Sequence, residues 1–197
     1  MDTTARSWWD QHAATFDDEA DHGLRDPEVR RAWTVLLDSL LPAAPATVAD
    51  LGCGTGSLTV LLSAAGHDVH GLDMSRPMLD YAIAKSDRAG SPASFVQADA
   101  SRPPFASSSF DVVLARHVLW ALPDPSDVLR RWIDRLKPDG CRILVEGQWS
   151  TGEGMPASVC RSHVLLHRDE ATIHELDDPA LWGKQIFDER YLILSRR

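Results

Sequence analysis

A carboxylate ahead of three alternating glycines, and a second carboxylate 21 residues past the first of them, have a spacing that chemistry can use. The first group reads Asp50-Leu51-Gly52-Cys53-Gly54-Thr55-Gly56, with apolar Val48-Ala49 before it and the helical pattern of Leu58, Leu61 and Leu62 after it. Strand, tight turn and helix in that order make a nucleotide-binding turn. Glycine suits it because the chain reverses with positive φ, and because bare backbone lets a ligand lie close. Asp73 ends a second run, Asp68 to Asp73, where the acid that grips ribose hydroxyls belongs in a mononucleotide-binding half. A carboxylate there accepts from both vicinal hydroxyls at once. An acid at a strand end can also cap the next helix, but Ser75, just before Arg76-Pro77-Met78, already supplies that cap. The dehydrogenase fingerprint Gly-x-Gly-x-x-Gly is the main rival, and this chain has Gly-x-Gly-x-Gly instead.

A proton acceptor is also in view. His117 follows the apolar run Phe110 to Ala115, and an unperturbed imidazole, with a pKa near ~6.5, can take a proton from a hydroxyl or amine. Beside Val118, Leu119 and Trp120 it can equally pack or bond a carbonyl, and both readings stay open. His163 and His167 share a helical face at i and i+4, but without the His-Glu-x-x-His pattern no metal is expected.

The elements that must position these groups alternate between strand and helix. Asp26-Pro27 starts a helix whose one face carries Val29, Trp33, Leu36, Leu37 and Leu40 up to Pro42. Ser94 to Ala98 reads as a third strand and Phe110 to Ala115 as a fourth. Asp124-Pro125 opens a helix with Val128, Leu129, Trp132, Ile133 and Leu136 on one face, and Lys137-Pro138-Asp139-Gly140 stops it before a fifth strand, Cys141 to Glu146. A helix over 156–167, a segment Ala171 to Leu176 and a last strand Arg190 to Ser195 close the pattern. Ahead of it all, Trp8-Trp9, His12, Phe16 and the acidic Asp17 to Asp21 form a cap. Adjacent tryptophans cannot both face one side of a helix, so one meets a ligand or partner, or both seal the domain's edge.

At 197 residues and 44% hydrophobic content, one well-cored domain is expected. No run approaches the ~20 apolar residues of a membrane span, and Met1 to Ala14 lacks a basic start and apolar core, so a cytoplasmic location is expected. Cys53, Cys141 and Cys160 suggest neither disulfides nor zinc. The net charge of −9 argues against nucleic acid, whose partners gain affinity by neutralising phosphates.

Asp50 to Gly56 resembles the first motif of class I S-adenosylmethionine-dependent methyltransferases, and the similarity continues to about Glu146, toward the small-molecule, ubiquinone and menaquinone type of methyltransferase domain. The resemblance implies a Rossmann-like seven-stranded α/β sheet, mostly parallel with an antiparallel carboxy-terminal strand and helices on both faces. It implies S-adenosylmethionine as cofactor, with Gly52, Gly54 and Gly56 under its methionine part and Asp50 at its amino end. Asp73 would take the ribose, Met74 an adenine face, Asp99 the adenine amino group, the Ala100 amide a ring nitrogen, and the Arg116 carbonyl the cofactor's amino group. The segment after the fourth strand would line the acceptor site. Trp8, Trp9, Phe16, Trp120, Glu146 and Trp149 are expected at the acceptor, and His117 as base. The chain divides on this reading into an aromatic lid over 1–25, a cofactor-binding core over 26–147 and a hairpin region over 148–197. The Asn/Asp-Pro-Pro-aromatic signature of nucleic-acid amino methyltransferases is absent, which favours a small molecule accepting at oxygen or nitrogen. A cofactor-binding protein without transfer, and an NAD-dependent oxidoreductase, are the other readings.

Overall fold

Apolar runs that end in turn acids become parallel strands. The computed structural model describes residues 3–196. Its strands are β1 (Thr47–Leu51), β2 (Asp68–Asp73), β3 (Ser94–Gln97), β4 (Phe110–Arg116), β5 (Leu136–Gln148), β6 (Thr172–Glu175) and β7 (Glu189–Ser195). They form one sheet in the order β3-β2-β1-β4-β5-β7-β6. The pairs from β3 to β5 are parallel, and β7 runs antiparallel to both β5 and β6. This is the Rossmann-like sheet the sequence led us to expect. The chain leaves β3 on one side of β1 and returns as β4 on the other. That reversal opens a crevice outside the carboxyl ends of β1 and β4, where open α/β sheets bind ligands.

Both faces of the sheet are covered, which explains why the central strands are nearly continuous apolar runs. On one side Val48, Val112, Leu114, Ile143 and Val145 pack with Trp33 and Leu37 of α3 (Pro27–Leu40) and Leu58 and Leu62 of α4 (Ser57–Ala64). On the other, Val113, Ala115, Leu144 and Ile193 pack with Leu129 and Trp132 of α6 (Pro125–Ile133) and Cys160 and Val164 of α7 (Ala157–Leu165). The caps match the sequence signals. The Asp26 carboxylate accepts from the Glu28 amide at 2.8 Å, and the Ser75 hydroxyl accepts from the Met78 amide at the start of α5 (Arg76–Ala89). Trp33 Nε1 donates to the Leu181 carbonyl at 2.7 Å, fastening α3 to the carboxy-terminal segment.

One boundary differs from expectation. Lys137 to Gly140 do not separate helix from strand, because β5 already begins at Leu136 and α6 ends at Ile133. Leu136 pairs with Phe110 and Cys141 with Val112, so a bulge takes up the intervening residues. Leu136 is buried as a strand residue in the core rather than on the helix face. Ahead of the sheet, α1 (Thr3–His12), a 3-10 turn at Phe16–Asp18 and the short α2 (Ala20–Gly23) form the amino-terminal segment. Among the described residues no helix is long and apolar enough to cross a membrane.

Candidate functional site

The glycine turn leaves β1 with φ of 73° at Gly52 and 55° at Gly54. The amides of Gly52 and Cys53 both donate to the Leu72 carbonyl, at 2.7 and 2.9 Å, so the turn is pinned to the end of β2. A Cβ on Gly52 would stand 2.4 Å from Val118 Cγ2, and one on Gly54 would stand 3.2 Å from Phe16 Cε1. The bare backbone is therefore bordered by the loop after β4 and by the amino-terminal segment.

Two of the expected carboxylates, Asp73 and Asp50, border the turn, and a third, Asp99, follows β3. Asp73, at the end of β2, accepts from the Gly54 amide at 2.9 Å and from the Ser75 amide at 2.8 Å, and burial pushes its pKa up. Each oxygen keeps lone-pair capacity beyond its one backbone bond. Asp50, 2% exposed at the end of β1, accepts from Thr59 Oγ1 at 2.6 Å. Burial pushes Asp50 up to about 6, with the Thr59 hydroxyl and the Arg116 guanidinium opposing that shift. Asp99 follows β3, half-buried, and accepts from the Ser101 amide at 2.8 Å. Next to it the Ala100 carbonyl accepts from Trp132 Nε1 at 2.7 Å, and the carbonyl of Met74 accepts from Gln97 Nε2 at 3.0 Å.

The sequence reading gave Arg116 only a backbone role, but its side chain belongs to the site. Nη1 donates to the Asp21 carbonyl at 2.5 Å, and the guanidinium lies 5.2 Å from the centre of the Trp33 ring. Its charge acts on Asp50, and burial lowers its own pKa against the opposing pull of Asp21, Asp50 and Asp17. Lys85 of α5 is a second residue the sequence did not single out. Its Nζ reaches Ser57 Oγ at 2.6 Å, Thr55 Oγ1 at 3.1 Å and Asp17 at 2.9 Å, while Thr55 Oγ1 donates to Asp17 at 2.5 Å. Asp17 thus ties the amino-terminal segment to the glycine turn. Beside it Phe16 stacks on His22 with centroids 4.3 Å apart. Trp9 meets Phe16 edge-on at 6.2 Å, whereas Trp8 is 51% exposed and stacks on His12.

The acceptor-side residues form another group. His117 holds φ 58°, a left-handed backbone uncommon outside glycine and concentrated at functional sites. Its amide donates to Val145 O at 2.8 Å and its carbonyl accepts from Trp120 Nε1 at 3.1 Å. The ring lies 5.3 Å from Trp149 and 6.0 Å from Trp182, and Trp120 and Trp149 are 5.3 Å apart. Burial, then the charges of Arg116, His22 and Arg190, hold the His117 pKa well below the ordinary value, so the ring is neutral at physiological pH. Arg190 stands 5.2 Å over Trp149 and 5.4 Å over Trp182 and pairs with Asp188 at 3.1 Å. Glu146, expected beside the acceptor, is instead wholly buried, with Oε1 on the amides of Val118 and Leu119.

The structure therefore gathers Asp50, the glycines, Asp73, Arg116 and Phe16 at the turn, and His117, Trp120 and Trp149 at the neighbouring strand ends. Trp8 and Trp9 share no ring contact with Trp120 or Trp149 among the described residues. Asp17 was expected in the cap, but no motif signals its bond to Thr55, 38 residues away, or flags Lys85, 30 residues from the same hydroxyl.

Turn and carboxylates suit a ligand with a cationic amino end, a ribose diol and an adenine, all of which S-adenosylmethionine presents. The likenesses to known proteins agree. A methyltransferase domain family matches residues 49–144. A ubiquinone biosynthesis O-methyltransferase of Ralstonia nicotianae is 34% identical over 140 residues, 69% of this chain and 54% of that protein. A demethylmenaquinone methyltransferase of Thermus thermophilus is 33% identical over 112 residues, 56% of this chain and 51% of that protein. An S-adenosylmethionine-dependent methyltransferase from Methanosarcina mazei shares the fold, with a TM-score of 0.67 and 20% identity over 82% of this chain and 96% of that one. The chain spans about half the length of the curated relatives it matches. It belongs to the class I S-adenosylmethionine-dependent methyltransferases, and S-adenosylmethionine is the cofactor of that class.

Proposed function

We propose that this protein transfers the methyl group of S-adenosylmethionine to an oxygen or nitrogen atom of a small molecule. The observation that carries the reading is adjacency. The turn ringed by Asp50, Asp73 and Arg116 opens at the same carboxyl end of the central strands as the His117, Trp120 and Trp149 wall, and Val118 of the connecting loop touches Gly52. When bound, the cofactor supplies an electrophilic methyl on a sulfonium.

The chain's own groups do the rest. Asp73 takes the ribose hydroxyls, Asp99 and the Ala100 amide the adenine, Met74 an adenine face, and Asp50 with the Arg116 carbonyl the amino end. Trp120 and Trp149 form an apolar wall that excludes water, and neutral His117 accepts the proton that the acceptor gives up. Holding two partners in line is worth ~7–11 kcal/mol, so alignment carries most of the rate. Residues 1–25 act as a lid over the site, tied down through Asp17 and Phe16. The quinone-related acceptors named for the relatives favour a small molecule here too, and a net charge of −9 disfavours nucleic acid. A cytoplasmic location fits such chemistry.

Calorimetry with S-adenosylmethionine and S-adenosylhomocysteine tests the cofactor site. Tritium transfer from methyl-labelled cofactor to a panel of hydroxylated and amine-bearing small molecules tests the reaction. Binding of NAD without binding of S-adenosylmethionine would overturn the reading.

A further inference from the structure

The loop that leaves β4 is held at Val118 and Leu119 by a residue 28 and 27 positions further on. His117 turns the chain off the sheet with its left-handed backbone, and Val118 leads into a single 3-10 turn at Leu119–Ala121. The first amides of a helical turn have no partner inside it. Here they point into the core, since Leu119 is wholly buried. Glu146 Oε1 accepts both, from Leu119 N at 2.7 Å and Val118 N at 3.1 Å. Without it, one buried and one part-buried donor would lose their acceptor.

Two parts of the site depend on that loop. His117 is gripped at both ends, by the Val145 carbonyl and the Trp120 indole, so its ring direction follows the course of the next two residues. Val118 presses against Gly52, so the same course sets one side of the glycine turn. We propose that Glu146 is a positioning residue: through the amides of Val118 and Leu119 it holds the loop after β4 in the conformation that aims His117 at the acceptor and seats Val118 on Gly52. Glu146 has no part in the proposed transfer step itself, and only the rate effect expected of its variants rests on that proposed function.

The surroundings of the carboxyl group supply a test. Oε2 is buried without a hydrogen bond among the described residues, and burial pushes Glu146 up to about 8 against the backbone bonds that favour ionisation. The groups it faces are the thiol of Cys160 on α7 and the phenol of Tyr191 on β7, both pushed up by burial and uncharged at neutral pH; Arg142 lies four residues back on β5 itself. Glu146 therefore holds the loop as a neutral acid.

The experiment is a pH titration from 6.5 to 9.5, followed by nitrogen-proton NMR of the Val118 and Leu119 amides and the Trp120 indole. It is run on the wild type, Glu146→Gln and Glu146→Ala. In the wild type all three signals move together with a midpoint near 8. Glu146→Gln keeps an accepting oxygen, so it holds the signals near their neutral positions at every pH. Glu146→Ala displaces or broadens them. In transfer assays Glu146→Ala loses about 10²-fold in kcat, the scale of a 1 Å misplacement, and Glu146→Gln restores the rate to within about threefold at neutral pH. Amide signals indifferent to Glu146→Ala, or a Gln variant as defective as the Ala variant, overturn the proposal. Should Glu146→Ala fail to fold, the wild-type and Gln titrations decide it alone. Absence of transfer in a wild type whose signals titrate as described refutes the proposed reaction and leaves the positioning role standing.

Discussion

Replacing Asp73 with Asn separates two roles that one carboxylate carries. In the folded protein its oxygens accept from the amides of Gly54 and Ser75, at 2.9 and 2.8 Å, and both contacts are buried. Asn keeps one oxygen, and its amino group must then face one of those two N–H groups. A buried backbone donor left without an acceptor costs about 1–3 kcal/mol. For a chain of this size each kcal/mol lowers Tm by about 2–4 °C, so the variant should melt roughly 2–12 °C below the wild type. The ribose contact adds a second, independent loss. Giving up a charged acceptor costs about 1.5–3 kcal/mol, which is roughly a 10- to 150-fold rise in Kd for S-adenosylhomocysteine. Thermal melting reads the first effect and titration calorimetry the second. A lower Tm with unchanged affinity would show that Asp73 only braces the turn. Weakened affinity at an unchanged Tm would show that the two backbone bonds add nothing. Because burial raises the Asp73 pKa, cofactor affinity should also begin to fall at a higher pH than an ordinary aspartate would impose.

Three further outcomes are expected. Removing residues 1–24 should leave the sheet folded by circular dichroism but abolish transfer, since Phe16 and Asp17 would no longer cover the glycine turn; full activity in the truncated protein would end the lid role. Lys85→Met should lower Tm by roughly 3–12 °C and speed proteolysis of the amino-terminal segment, because Asp17, Thr55 and Ser57 lose a shared charged donor; an unchanged cleavage rate would count against the tie. His117→Ala should slow transfer by about 10²-fold with cofactor affinity little changed, and an unaltered rate would leave alignment as the whole mechanism. The depressed His117 pKa also has a stability signature: below about 6.5 the unfolded chain takes up a proton that the native ring refuses, so stability falls as pH drops, and this slope should weaken in His117→Ala melts.

What the sequence disclosed was local. The glycine turn, the acid at Asp73 and the caps at Asp26 and Ser75 are each set by a few adjacent residues, and each stands where the residue types placed it. The start of β5 was misjudged because the bulge opposite Phe110 is fixed by a partner strand, and Lys137-Pro138-Asp139-Gly140 read in isolation signals an ending. The Arg116 guanidinium, Lys85 and the contacts that Asp17 makes from the cap are not legible in the sequence for a related reason. Their partners lie tens of residues away, and no periodicity records which α5 side chain will reach across to a segment near the amino terminus. Glu146 was conspicuous as a polar residue ending an apolar run, but only the fold shows that it turns inward, toward two amides.

The sheet is long in the middle and short at both margins. β5 has 13 residues, whereas the outermost strands β3 and β6 have four each. In each margin strand the two end residues are exposed and the two middle ones half-buried, leaving Ser94 and Gln97 at one edge and Thr172 and Glu175 at the other facing solvent. An open β edge is a template on which another polypeptide can add a strand, and brevity with polar ends is a way natural sheets blunt it. A second chain docking along either margin would find only four residues to pair with. The molecule can thus keep its crevice open at the centre of the sheet while offering little foothold for edge-to-edge aggregation at its sides.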